Sequence, residues 1–547
     1  MDKRFALGWD FSTQQVKAIG VGLTTGEILF EEFLKFDEAL PHYKTKGGVR
    51  VHPDGATITS PTLMWVEALD RLLAQLKARG VEFGQAAVIC GSGQQHGSVY
   101  WRTGARDTLR QLKPELPMAE QLAACFSTAD SPVWMDSSTG EQCAQLEAFA
   151  GGPEALAALT GARAFHRYTA AQLIKQRLAG TLADTERVSL VSSFAASLFL
   201  GDYASIDEAD GSGMNLMSLA ERAWVPRLCD FVQPGLESLL GPIVPGRTIL
   251  GRVSAYLSAR WGFSPDCRVA AFTGDNPATL AGLRLQPGCL AVTLGSSSCA
   301  LLRSPGRCLP AGAALPSLGC VVMACAVDTE SCMPIVVLKN GALTREAIRD
   351  RFAGGSWAEF DRLLDSRPPG NGGLVGLYFD SPEIVPEGAL GRYRFGADGE
   401  PLPDGADFVE GPAAEARACL ESHAMSLRLF AESLGFRPGE PGARVLATGG
   451  ASANPRVAQV LADALATPVI VQPGLGNSAA LGAALLGASA LAGPSADFLA
   501  SLPPEVESRT FEPRPEAAPA YRSMRDRFPG LLARAAELQA ARLGGSA

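Results

Sequence analysis

The chain has 547 residues, a formal net charge of −9, 47% apolar and 19% charged residues. That length allows more than one core, and the composition is that of an ordinary globular enzyme. No basic stripe stands out, so nucleic acid and acidic membrane surfaces are excluded as expected partners. The first residues lack an apolar core long enough for a signal peptide. The apolar run near residues 479–492 is short and rich in Ala and Gly, a buried helix rather than a membrane span. Twelve cysteines show no paired Cys-x-x-Cys spacing, and several lie inside apolar runs. A reduced, cytosolic protein without a structural metal is expected. No lysine stands in a Gly-Lys-Ser/Thr setting, which excludes a P-loop.

In chain order, Phe5–Trp9 predicts a strand, Asp10 to Gln15 a polar turn, and Val16–Leu23 a second strand. Asp10 ends the first strand, where a carboxylate can hold a hydrated magnesium ion or simply serve the turn. Ser60-Pro61 predicts the cap of a helix whose buried face carries Trp65, Leu69, Leu72, Leu73 and Leu76. Ala86–Gly93 is strand-like and opens into Gln94-Gln95-His96-Gly97, a place suited to hydrogen-bonding hydroxyls. Another strand-to-polar junction ends at Asp136, and Arg167 is read either as pointing into a cleft or as holding a salt bridge. Asp207 to Gly213 is expected to be a loop packed near the same cleft.

The most informative stretch is Cys267 to Arg303. A short apolar strand ends in Gly274-Asp275-Asn276, with Asn276 a candidate N-cap and Pro277 in the first helical turn. An acid at the mouth of a strand, before a helix N-terminus, is where α/β enzymes place reacting groups. Leu290–Leu294, Gly295-Ser296-Ser297-Ser298 and Cys299–Leu302 then read as strand, tight turn, strand. Such a turn offers N–H groups and hydroxyls to an anion. Its likeness to the turn at Asp10 predicts a duplicated phosphate-binding architecture. Trp357 reads more readily as a core indole than as one packed on an adenine. Residues 386–412 form a Gly/Pro-rich excursion. Arg444 to Asp463 predicts strand, Gly449-Gly450 turn, Asn454 N-cap, Pro455 at N1 and helix, where paired glycines admit a flat ligand.

Six strings carry a resemblance over roughly Phe5 to Gly487: residues 93–101, 131–138, 189–201, 210–216, 272–278 and 446–452. Together with the two hairpins they resemble the FGGY carbohydrate kinases. The resemblance implies an α/β, two-domain actin/hexokinase-like (ribonuclease H-like) ATPase fold with an interdomain cleft. The expected division is 1–266, holding the sugar and phosphate side, 267–498, holding the catalytic Asp and nucleotide side, and 499–547, a Pro-rich segment with a terminal helix. The resemblance puts His96, Arg167, Asp275 and Asn276 on sugar positions, with Asp275 as catalytic base. It puts Ser12, Thr13, Gly295, Ser296, Ser297, Trp357, Gly450, Ala451 and Asn454 on ATP positions, and Asp10 on the metal. Departures occur where many members have Gly-Thr-Ser (here Gly295-Ser296-Ser297), Trp-x-Asp-x-Arg (here Trp134-Met-Asp136-Ser-Ser), and a Glu at the position of Asn477.

The implied activity is phosphorylation of D-xylulose to D-xylulose 5-phosphate with ATP and magnesium ion (Mg2+). A same-fold kinase of ribulose or glycerol is the alternative, and an actin-like ATPase a third reading. The convergent polar set at Gln95-His96, Arg167 and Asp275-Asn276 argues against the last. A cytoplasmic monomer or homodimer, without nucleic acid or membrane, is expected to act on this small sugar.

Overall fold

The computed structural model describes residues 3–295, 297–307, 320–472, 478–493 and 508–544. They divide into two compact units. The first runs to Arg284 and takes in Met323–Cys332 and a late helix, Ser478–Ala492. The second is built from 285–307, 320–322, 333–472 and 508–544.

The first unit is organised on a seven-stranded sheet among the described residues. Its strands are β1 (Phe5–Phe11), β2 (Gln15–Gly22), β3 (Ile28–Lys35), β4 (Ala86–Gly93), β5 (Ile249–Arg252), β6 (Arg268–Ala270) and β7 (Thr273–Gly274). The order is β5-β6-β4-β1-β2-β3, with β7 also beside β4. The meander β1-β2-β3 is antiparallel, whereas β4 runs parallel to β1. Alternation decides what each face of β1 meets. Phe5, Leu7, Trp9 and Phe11 enter a core with helix α1 (Thr62–Ala78), which buries the predicted Trp65, Leu69, Leu72, Leu73 and Leu76. Gly8 and Asp10 lie on the other face, and the late helix crosses there.

That crossing depends on missing side chains. A Cβ at Gly8 would stand 2.2 Å from the Ala480 carbonyl oxygen. One at Gly482 would stand 1.7 Å from that of Ala278, and one at Gly282 2.0 Å from that of Ser478. Ala278 and Gly282 belong to α2 (Asp275–Gly282), so backbone meets backbone where α2 and the late helix touch.

The second unit repeats the strand plan. β8 (Leu290–Leu294) pairs antiparallel with β9 (Ser298–Leu302), and β9 antiparallel with β10 (Ser331–Leu338). On its other edge β8 takes a parallel partner, β11 (Val445–Thr448), as β1 takes β4. The core beneath gathers residues from α3 (Ala342–Phe352), α4 (Trp357–Asp365), α5 (Pro412–Ser433) and α6 (Pro455–Leu465), and from the helix Ala518–Gly544.

Several expectations are revised. The first compact unit continues past residue 266 to Arg284, because β6 and β7 pair with β4 and α2 packs on the late helix. That late helix packs within the first compact unit. The N-cap of α2 is Gly274, so Asp275 and Asn276 are its first two residues and Pro277 its third. Residues 208–212 form a short helix capped by Asp207. Helix α1 starts after Pro61 with no side-chain cap, since Ser60 spends its hydroxyl on the Gly48 carbonyl. Within 386–412, Gly391–Phe395 is a strand paired with Val375–Phe379.

Replacing Gly482 with alanine forces its methyl into the α2 backbone. Gly482→Ala should lower the thermal midpoint, with a cost of about 1–3 kcal/mol typical of overpacking. A variant melting with the unmodified protein would show that the helices separate freely.

Candidate active site

In the first unit the candidate side chains sit at the carboxyl ends of three neighbouring strands, where open α/β sheets bind ligands. Asp10 on β1 is level with Ser92 on β4, and Ser92 with Thr273 on β7. Asp275 follows one residue after β7. Asp10 is buried; it accepts hydrogen bonds from the Ser12 hydroxyl and, at 2.9 Å, from Ser92. Its charged neighbour is Lys17, directly across the hairpin, with Nζ 3.8 Å away. Burial outweighs these contacts and raises the Asp10 pKa. The turn between β1 and β2 closes with a bond from Ser12 N–H to the Gln15 carbonyl, and Thr13 accepts the Trp134 indole N–H at 2.8 Å.

Asp275 opens α2, with Oδ1 accepting from the Asn276 N–H at 2.8 Å and from its side-chain amide at 3.2 Å. The same amide nitrogen donates to Gln95 Oε1 at 2.7 Å, so Gln95 sets the orientation of Asn276. Burial, then the charges of Asp10 and Asp210, push the Asp275 carboxyl up to about 7.

His96 has φ +70°, a left-handed conformation uncommon for a residue with a side chain. Its Nδ1 lies 3.2 Å from the Gly213 carbonyl, a contact that needs the proton on Nδ1 and leaves Nε2 as an acceptor. Burial and the nearby Arg167 lower its pKa to about 3, so the ring is neutral. The Arg167 guanidinium lies 4.6 Å from the Phe165 ring centre and 5.7 Å from that of Trp134, stacked on rings rather than held by a carboxylate.

Three buried residues carry no assigned role in the sequence. Asp207 accepts from Thr273 Oγ1 at 2.9 Å and from two N–H groups of its own helix, which ties 207–212 to the strand presenting Asp275. Asp210 accepts from Ser192 at 2.5 Å. Burial first, with smaller charge effects, puts the pKa of both at about 7. Met323, distant in sequence, receives the Gln95 amide at 3.6 Å. No local pattern marks any of them. Asp136 is structural: it accepts from Ile58 N–H, Ser138 and Gln172, while Lys175 meets Ser138 at 2.6 Å.

In the second unit the Gly295 N–H bonds the Ser297 carbonyl at 3.1 Å, and the Gly295 carbonyl accepts from Ala342 N–H at the start of α3. Ser296 and Asn477 lie outside the described residues. β8 and β11 bring Thr293 and Thr448 level, with hydroxyls 3.0 Å apart. Gly449 follows at φ +87°, and a Cβ there would stand 2.7 Å from the Leu294 carbonyl oxygen. The diglycine turn therefore runs close beside the end of β8. Gly450 and Ala451 continue it as a single 3-10 turn, and Asn454 caps α6 by accepting from Arg456 N–H. The Asn454 amide donates to Asp361 of α4 at 2.7 Å. Trp357, the first residue of α4, is 43% exposed, with the Arg349 guanidinium 4.6 Å from its ring centre. The expectation of a core indole from local sequence does not hold. Ser356 caps α4 and orders the helix while its first side chain stays outside the core.

Two α/β units, each built on an antiparallel hairpin with a parallel strand beside it, are the frame of a carbohydrate kinase, as likeness to known proteins shows. Residues 129–282 match the N-terminal domain of the FGGY family of carbohydrate kinases and residues 290–491 its C-terminal domain. The chain belongs to that family. It is 44% identical to the xylulose kinase of Mus musculus over 537 residues, covering 97% of this chain and 94% of that one. To xylulose kinase 2 of Arabidopsis thaliana it is 41% identical, over 88% and 86% of the two chains. Among solved structures, a xyloylose kinase from Brucella ovis superposes with a TM-score of 0.79 at 24% identity, covering 98% and 100%. Plasmodium falciparum glycerol kinase with ADP gives 0.74 at 14%, covering 98% of each.

Asp210 offers a test of the buried carboxyls. A carboxyl whose folded pKa is raised stabilises in its protonated form, and that contribution disappears as pH rises through about 7. Asparagine cannot ionise, so the melting temperature of Asp210→Asn relative to the unmodified protein should climb between about pH 4 and 7 and level off above. Parallel curves would mean that Asp210 is not buried as an acid.

Proposed function

We propose that this chain is an ATP-dependent kinase converting D-xylulose to D-xylulose 5-phosphate in the cytoplasm, with magnesium as the ATP counter-ion. The observation that carries the reading is 44% identity to mouse xylulose kinase along nearly the whole chain. The polar set around Asp275 supplies the chemistry. Fold alone would not separate xylulose from glycerol, since the Plasmodium glycerol kinase shares it. Among the described residues no helix is long and apolar enough to cross a membrane.

Phosphoryl transfer to an alcohol needs alignment, charge neutralisation and a destination for the hydroxyl proton. Asp275 takes the third role. The Asn276 bonds gather on Oδ1, so Oδ2 is the atom that meets the terminal sugar hydroxyl and accepts its proton. A carboxyl poised near 7 suits a base working at neutral pH. Asn276, held by Gln95, orients another hydroxyl; neutral His96 accepts one at Nε2; Arg167 donates to the carbonyl end. In the second unit, Trp357 packs on the adenine, Gly450 and Ala451 pass beneath it, and Asn454 closes that edge. Gly295, Ser296 and Ser297, with Ser12 and Thr13 of the first unit, are assigned to the phosphates. Asp10 with the Ser12 and Ser92 hydroxyls is an all-oxygen set of the hardness magnesium prefers, around a buried carboxylate that Lys17 only partly compensates. Magnesium bound there would neutralise phosphate charge.

The test is an ADP-release assay with D-xylulose, D-ribulose and glycerol. D-xylulose should be turned over best, because a site built to hydrogen-bond hydroxyls rejects analogues lacking them. Equal turnover of glycerol would refute the substrate. Asp275→Asn should melt as a folded protein and lose roughly two to four orders of magnitude in kcat. Near-normal turnover would remove Asp275 as the base. Since the base must be ionised, kcat/KM should fall about tenfold per pH unit below about 7, and a profile flat to pH 5 would contradict the assignment.

A further inference from the structure

Within the second unit, between α3 and α5, lies a cavity that the kinase chemistry does not use. It is lined by Asn340, Thr344, Arg345, Glu383, Ser422 and His423, with apolar walls from β10 and Val375–Phe379, and measures about 40 Å³. A single water needs roughly 10–15 Å³, so one small ion with a water fits. A nucleotide or sugar, needing on the order of 300 Å³ or more, does not.

The lining is unbalanced in charge and in hydrogen bonding. Arg345 is only 3% exposed, yet among the described residues neither of its Nη atoms meets an acceptor. The Thr344 and Ser422 hydroxyls, 4% exposed each, are likewise without partners. Glu383 is the one carboxylate of the lining, but its oxygens are taken up by the N–H groups of Lys339, Asn340 and Ile384 and by the Asn340 amide. His423 uses Nε2 on Ser298 Oγ at 2.9 Å. A guanidinium stays charged when buried and must be paired. Two N–H-bearing nitrogens and two hydroxyls that can donate all require an acceptor, and a negative charge would satisfy both demands.

We propose that this cavity binds a small inorganic anion of halide size, held by Arg345 with Thr344 and Ser422 as hydroxyl donors. The site bridges α3, whose first N–H holds the Gly295 carbonyl, and α5, whose His423 holds Ser298. A bound anion therefore ties together the two supports of that turn.

Bromide is the probe. Anomalous diffraction from bromide-soaked crystals of the full-length protein should place a peak within about 3.5 Å of an Arg345 Nη. In solution, sodium bromide or chloride should raise the melting temperature by about 2 °C or more over sodium methanesulfonate, a bulkier anion, at equal ionic strength. Arg345→Gln should abolish that difference. Water alone in the cavity while bromide appears elsewhere, equal melting in both salts, or an intact halide response in Arg345→Gln would each overturn the proposal. Should that variant fail to fold, the diffraction and salt comparisons on the unmodified protein decide the matter.

Discussion

The contact on which the first unit's site depends is the backbone-to-backbone packing of α2 against the late helix, with β1 in contact through Gly8. Glycines at 8, 282 and 482 let carbonyls lie where side chains would otherwise stand. Asp275 is the first residue of one of these elements and Asp10 lies near the end of another. The distance between the two acids is thus set by packed backbone, and protein interiors resist such changes because they are close-packed. The helix that secures this geometry comes from near residue 480, some two hundred residues after the acid it positions.

That rigidity concentrates like charge. Asp10, Asp207, Asp210 and Asp275 are brought near one another on one side of the sheet, and burial raises the pKa of each. Such an arrangement costs stability in the absence of substrate, and it is compensated by hydroxyl and amide donors from Ser12, Ser92, Ser192, Thr273 and Asn276. Burial and the nearby Arg167 keep His96 neutral, so the polar set mixes acceptors on Asp275 and His96 with donors on Asn276 and Arg167. The second unit solves a different problem. There Gly449 lets the diglycine turn pass close to β8, and Asn454 ties the start of α6 to α4, so that an exposed indole stands on a fixed helix end.

Much of this was legible because it is local. Hairpins show as two-residue alternation broken by polar turns, and the Asn454-Pro455 start of α6 follows from capping chemistry. The start of α2 was misread by two residues because Asn276 has the chemistry of a cap but is held by Gln95, far away in the chain. Asp136, legible only as the end of a strand-to-polar junction, is a structural hub. Arg167, left between a cleft and a salt bridge, is stacked on Phe165 and Trp134.

By itself, then, the sequence determined the family, the duplicated hairpin plan and the identity of the polar groups at the strand ends. Those are written in turn residues, alternation and short strings whose meaning does not depend on distant neighbours. Tertiary structure alone decided that α2 and the late helix join the first unit, that Asp10 and Asp210 crowd Asp275, and that the buried Arg345 Nη atoms meet no acceptor among the described residues. Each of these is a relation between segments tens to hundreds of residues apart. Burial, charge coupling and unmet hydrogen bonds exist only once those segments are packed together.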